Sequence, residues 1–317
     1  MVLDWLGYTL DGNSWEKLCV DICRIVYKDD FFHEVPAHYK GDGGIEGFTK
    51  SDLGVVIQCY CPDDPNISYN DLYEAQRDKV TKDIKKIIDK HELLKSMGVE
   101  KINRWVFIVP EYKDRRILIH CQEKQKMIVK ARLDDPTNLQ YISENFQIDL
   151  KVAADYKTEV ARLIKSGIAD IRLDIPEIDQ EIIDWDSISS EKSKNVSRKM
   201  RAISPTSDER PERIMQLIDF QIKKYLSGKI TLEKLSNEYP DIWDDVMKIE
   251  RVFKKKVKEK TLLSSSHEMN LEVYNELSKE FENSLNKRLS YLTDETSIML
   301  AQSIVSGWLA DCHMEFY

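Results

Sequence analysis

Four glycines fall within seven residues at Gly41-Asp42-Gly43-Gly44-Ile45-Glu46-Gly47, and the run Gly54-Val55-Val56-Ile57-Gln58-Cys59-Tyr60 follows closely. The first segment cannot propagate a helix, because each glycine in a helix interior costs roughly 1 kcal/mol relative to alanine. The second is short, apolar and β-branched, and reads as a buried strand. A tight turn feeding a strand therefore organises the N-terminal half. Upstream, residues 14–28 carry Leu18, Ile22, Ile25 and Val26 at helical spacing, and residues 33–37 suit a short edge strand.

Pro62 and Pro65 end the strand, and residues 68–96 read as one long charged helix with Leu72, Val80, Ile84 and Ile87 facing inward. Strands at 104–109 and 146–153 alternate with helices at 115–132 and 156–165. Such alternation implies an α/β layer structure over residues 1–167. Residues 168–210 turn polar, serine-rich and basic, and read as a linker. Lys192, Lys194, Arg198, Lys199 and Arg201 in it suit either a solvated linker or phosphate contact, the linker carrying more weight. From 211 to 317 helical spacing prevails, with helices expected at 211–227, 231–260, 271–291 and 294–311, as an all-α domain for partner binding or oligomerisation.

Composition narrows the function classes. A net charge of −9 argues against a protein that coats nucleic acid unaided, so any such contact is local or depends on assembly. The apolar runs are far below the ~20 residues that span a bilayer, and the first residues lack the pattern of a secretory leader. A cytoplasmic protein without membrane contact is expected. The six cysteines form no C-x-x-C pair and read as reduced, buried thiols. Cys19 and Cys23 stand one helical turn apart, a spacing that suits core packing far better than a metal.

Phosphodiester hydrolysis requires a divalent ion, and magnesium takes oxygen ligands, usually with one or two carboxylates. Asp42 and Glu46 flank Gly43 and Gly44, whose bare backbone would let a phosphate and a metal come close. The amide oxygen of Gln58 could add a neutral ligand or orient a water. The plain alternative is a hairpin turn built from the residues turns prefer.

Taken together, GDGGIEGF and the following VVIQCY resemble the Mrr-type branch of the PD-(D/E)XK, restriction-endonuclease-like nucleases. The likeness spans about residues 10–110. It implies an α/β nuclease core acting on DNA with Mg²⁺, Mn²⁺ being the alternative ion. By that resemblance Glu46 is the metal-binding carboxylate, Gln58 opens the second motif, and Glu16 is the acidic residue of the first helix. Asn13-Ser14-Trp15-Glu16 also suits a helix capping box, which would place Glu16 there for local reasons.

One position departs from the pattern. Where the family carries lysine, this chain has Tyr60, and a phenol with an ordinary pKa near ~10 is a poor replacement for a permanent cation. The next helix offers a substitute. Projected from Leu72, its apolar stripe centres near ~50°, while Gln76, Lys79 and Asp83 fall at about 40°, −20° and 20°. Lys79 is the best replacement cation, with an intrahelical Lys79–Asp83 ion pair as the alternative. Lys82 lies farther round and, like Tyr60, is a candidate contact to phosphate or strand. His33 and His38 flank the site as surface or second-sphere histidines.

The C-terminal segment GWLADCHMEF, including Trp308, resembles the tail of proteins in bacterial ATPase-linked multicomponent systems, and caps a helical bundle equally well. A restriction-type nuclease followed by helices resembles effector subunits of Lamassu-like antiphage systems, which implies an SMC-like or ABC-type ATPase partner or a homo-oligomer. The competing expectation is a catalytically degenerate DNA-binding or assembly subunit.

Overall fold

A computed structural model describes residues 5–6, 11–36, 43–64, 66–167, 171–178, 183, 188–204, 211–311 and 313–316. The chain divides into two compact units, residues 8–163 and residues 1–7 with 164–317. The division falls a few residues before the expected boundary at 167, and the first residues join the second unit.

The first unit opens with helix α1, Gly12–Val26. Its cap is Asp11, whose carboxylate accepts from the Ser14 backbone N–H at 2.8 Å while the Asp11 N–H donates to the Ser14 hydroxyl. The capping box therefore joins Asp11 and Ser14. Glu16 lies deeper in the helix than the expected N3 position, because an aspartate at Asp11 satisfies the first N–H groups earlier.

Strands β1 (Phe32–Glu34), β2 (Gly47–Thr49), β3 (Val55–Cys59), β4 (Ile102–Val109) and β5 (Ile142–Val152) form one sheet in sequential order. The first three run antiparallel, then β3, β4 and β5 run parallel. Each parallel step requires a crossover. Helices α2 (Tyr69–Asp89) and α3 (His91–Ser96) supply the first, and α4 (Arg116–Asp134) the second. The expected single helix over 68–96 is thus two, parted at Lys90.

The strands alternate their side chains between two covered faces. Val56, Phe48, Trp105, Phe107 and Val109 pack with Val80, Ile84 and Ile87 of α2 and with Ile117, Cys121 and Ile128 of α4. On α1, Leu18, Cys19, Ile22 and Cys23 are buried, and both Cys19 and Cys59 are free thiols. Helix α5, Lys157–Ser166, follows β5.

The second unit is helical: α6 (Ser190–Ile203), α7 (Pro211–Glu238), α8 (Pro240–Leu262), α9 (His267–Arg288) and α10 (Asp294–Ala310). Helix α7 passes through the expected break near 228. Gly228 serves close packing there, since a Cβ on it would stand 2.3 Å from the Cβ of Ser303.

The expected linker contains α6, which packs on α7, α9 and α10. Its basic and polar side chains close the C-terminal end of α10. Fully buried Lys199 donates to the Leu309 carbonyl at 2.7 Å, Asn195 to that of Ala310 at 3.1 Å, and Arg198 to that of Phe316 at 2.7 Å. Lys192 pairs with Asp311 at 2.7 Å. Lys199 and Asn195 thus meet the free carbonyls at the negative end of α10 and Lys192 the carboxylate that follows it, while Lys194 and Arg201 are exposed.

Candidate functional site

The glycine turn enters β2 against the first crossover helices. Gly43 and Gly44 are buried at φ of 67° and 89°, a left-handed backbone that side chains disfavour. A Cβ on Gly44 would stand 2.6 Å from the Asp83 carbonyl oxygen and 3.2 Å from the Lys86 Cβ, and one on Gly43 would stand 3.0 Å from Leu94. The Trp105 indole donates to the Gly44 carbonyl at 3.3 Å. The bare backbone therefore admits helices α2 and α3, where the sequence suggested that it admits phosphate and metal.

Two residues on, Glu46 is 6% exposed, and Gln58 on the neighbouring strand is wholly buried. Backbone bonds hold the pair in register, with the Glu46 N–H donating to the Ile57 carbonyl and the Val35 N–H to that of Glu46. The Gln58 amide Nε2 donates to Glu46 Oε1 at 2.5 Å. Gln58 Oε1 is buried and has no hydrogen-bond partner among the described residues.

Helix α2 turns Gln76 and Asp83 inward, both essentially buried. The Gln76 amide donates to the Glu111 carbonyl at 2.8 Å, tying α2 to the loop after β4. Asp83 lies between two lysines, with Lys79 Nζ 3.0 Å from one carboxylate oxygen and Lys86 Nζ 2.9 Å from the other. The intrahelical ion pair weighed for Lys79 is present, and Lys79 keeps 24% of its side-chain surface exposed. Lys86 escaped the sequence reading, although the same helical projection places it at about −40°, beside the inward arc.

Glu16 is half-buried on α1 and makes no hydrogen bond or ion pair with Glu46 or Gln58 among the described residues. Both carboxylates nevertheless act on Cys59, whose thiol is pushed well up by burial first, then by the neighbouring Cys19 thiol and by the charges of Glu46 and Glu16. Tyr60 is half-buried against the core, and burial followed by the Asp63 charge raises its hydroxyl pKa. Lys82 is exposed, and so is His33, whose ring stacks on Phe48 at 5.7 Å. Asp42 and His38 lie outside the described residues.

Among the described residues no three His, Cys, Asp or Glu side chains gather as a metal-binding group. What the site assembles is a carboxylate and an amide side by side in the buried part of the sheet, with an acceptor oxygen of Gln58 left over. Magnesium commonly takes one or two carboxylates and completes its shell with water, so a carboxylate and a donorless amide oxygen suit that ion.

In the second unit the tail side chains Trp308, Leu309, Met314 and Phe316 are buried core. No described helix is long and apolar enough to cross a membrane. Comparison with protein-family models, with curated proteins and with solved structures gave no match.

Proposed function

We propose that the first unit is a restriction-endonuclease-like, Mg²⁺-dependent endonuclease that hydrolyses DNA phosphodiester bonds. The observation that carries this reading is the buried Glu46–Gln58 pair, in which the amide nitrogen orients the carboxylate while the amide oxygen stays without a donor. Glu46 and Gln58 Oε1 would hold the ion, with Asp42 or Glu16 as further carboxylates and Mn²⁺ as the alternative occupant. Such an ion supplies polarisation of a phosphate oxygen and acidification of a water. Gln58 positions the Glu46 carboxylate, and Lys79 or Lys86 places positive charge beside the turn, where phosphate charge develops. Assignment as the effector of an antiphage complex with an SMC-like or ABC-type ATPase rests on sequence resemblance alone.

The test is nicking of supercoiled plasmid by the purified chain with Mg²⁺ or Mn²⁺. Glu46→Ala abolishes nicking while leaving the circular dichroism spectrum unchanged. Undiminished cutting by that variant overturns the assignment.

A second reading, a nuclease fold retained for DNA binding or assembly, draws on two observations: Tyr60 occupies the family's lysine position, and Lys79 and Lys86 are both engaged by Asp83. DNA binding by the chain with no nicking under either ion favours it.

A further inference from the structure

The second unit contains a pocket of about 340 Å³ lined by α7, α8 and α10, with Lys192 of α6 and with Asp311 and His313 just after α10 at its edge. Its floor is Gly307, inside α10, where an added Cβ would meet no heavy atom within 4 Å. One turn earlier on the same helix the backbones of α7 and α10 close up through Gly228 and Ser303. Packing thus accounts for Gly228 and does not account for Gly307, although an interior helical glycine is destabilising relative to alanine.

The wall of the cavity is charged. Glu250 of α8 is 3% exposed, and its Oε1 accepts from the Trp308 indole at 3.1 Å and lies 2.9 Å from Lys254 Nζ. Its Oε2 is buried with no hydrogen-bond partner among the described residues. A buried carboxylate oxygen left without a donor is unfavourable, and a ligand N–H can satisfy it. Lys229 of α7 also lines the cavity and makes no ion pair among the described residues, and Leu232 and Ile304 supply apolar wall.

One small molecule meets all of these demands if it combines an N–H donor, a flat apolar body that can lie over bare helix backbone, and an anionic group. We propose that this cavity binds a mononucleotide, its base donating an N–H to Glu250 Oε2 above Gly307 and its phosphate meeting Lys229 and Lys254. The volume falls within the range of natural small-molecule sites. The inference is independent of the nuclease reading.

Isothermal titration calorimetry of the full chain with AMP, GMP, CMP and UMP tests it, with the matching nucleosides and inorganic phosphate as references. At least one nucleotide is expected to bind about tenfold or more tightly than both its nucleoside and phosphate, and Lys229→Ala to weaken it about tenfold through loss of a charge-assisted contact. Gly307→Leu fills the space, so it abolishes binding while raising Tm by about 2–4 °C through helix propensity. Absence of binding by all four nucleotides at millimolar concentration overturns the proposal. So does phosphate binding as tightly as the nucleotide, or unchanged binding by Gly307→Leu. Lys229 is exposed, so its variant decides the question should Gly307→Leu fail to fold.

Discussion

Gly44 and Asp83 meet backbone to backbone: a single methyl group on the glycine would stand 2.6 Å from the aspartate carbonyl oxygen. That contact seats the turn before β2 on α2 and sets where Glu46 stands relative to the helix cations.

Gly44→Ala therefore meets both a left-handed φ and a rigid neighbour, and is expected to cost about 2–4 kcal/mol. Gly98, at φ 90°, has only the end of the Lys50 side chain within 4 Å of an added Cβ. Gly98→Ala should then cost only about 1 kcal/mol, for the backbone conformation alone. Urea denaturation followed by tryptophan fluorescence measures both, and equal losses would refute the role of the helix contact.

Asp83 is wholly buried and held by Lys79 and Lys86. Replacing both lysines, as Lys79→Met with Lys86→Met, strands that charge and should cost about 3–5 kcal/mol. Adding Asp83→Asn removes the stranded charge and should recover much of the loss. Chemical denaturation of the double and triple variants checks this, and a triple variant no more stable than the double would show that the charge is not the cause.

His120 of α4 shares a 2.9 Å hydrogen bond with Thr81, and its pKa lies below the ordinary 6.5, first through burial and then through Lys124. The unfolded chain therefore binds a proton at a higher pH than the folded one. The contribution of His120 is complete above pH 6.5 and is lost as pH falls from there through the depressed folded pKa. Tm measured between pH 7.5 and about pH 5 should fall with acidification, and His120→Gln should flatten that slope. An identical slope in the variant would exclude this histidine as the source.

Lys199 is fully buried against the last carbonyls of α10. Lys199→Met keeps the stem and removes the donors, so stability should fall by about 1–3 kcal/mol. DNA affinity, measured by fluorescence anisotropy, should not change. A weakened DNA complex with unaltered stability would instead support the phosphate-contact reading of the basic run.

The sequence alone determined the local elements: the glycine turn before Glu46, the buried strand carrying Gln58, the inward Gln76 and Asp83 on α2 with Lys79 paired at their edge, and the helical second half. Each follows from a period of two or 3.6 residues, or from the backbone freedom of glycine, which nearby residues express by themselves. Only the tertiary structure decided that Gly43 and Gly44 are bare to admit α2 and α3, that Asp83 takes a second lysine in Lys86, and that the basic run at 192–201 lies on a helix whose Lys199 is buried against the last carbonyls of α10. It likewise decided that α7 runs unbroken through Gly228 because Ser303 packs there. These are contacts between segments far apart in the chain, and no local period records which surface a residue will meet once crossovers and helix pairs have formed.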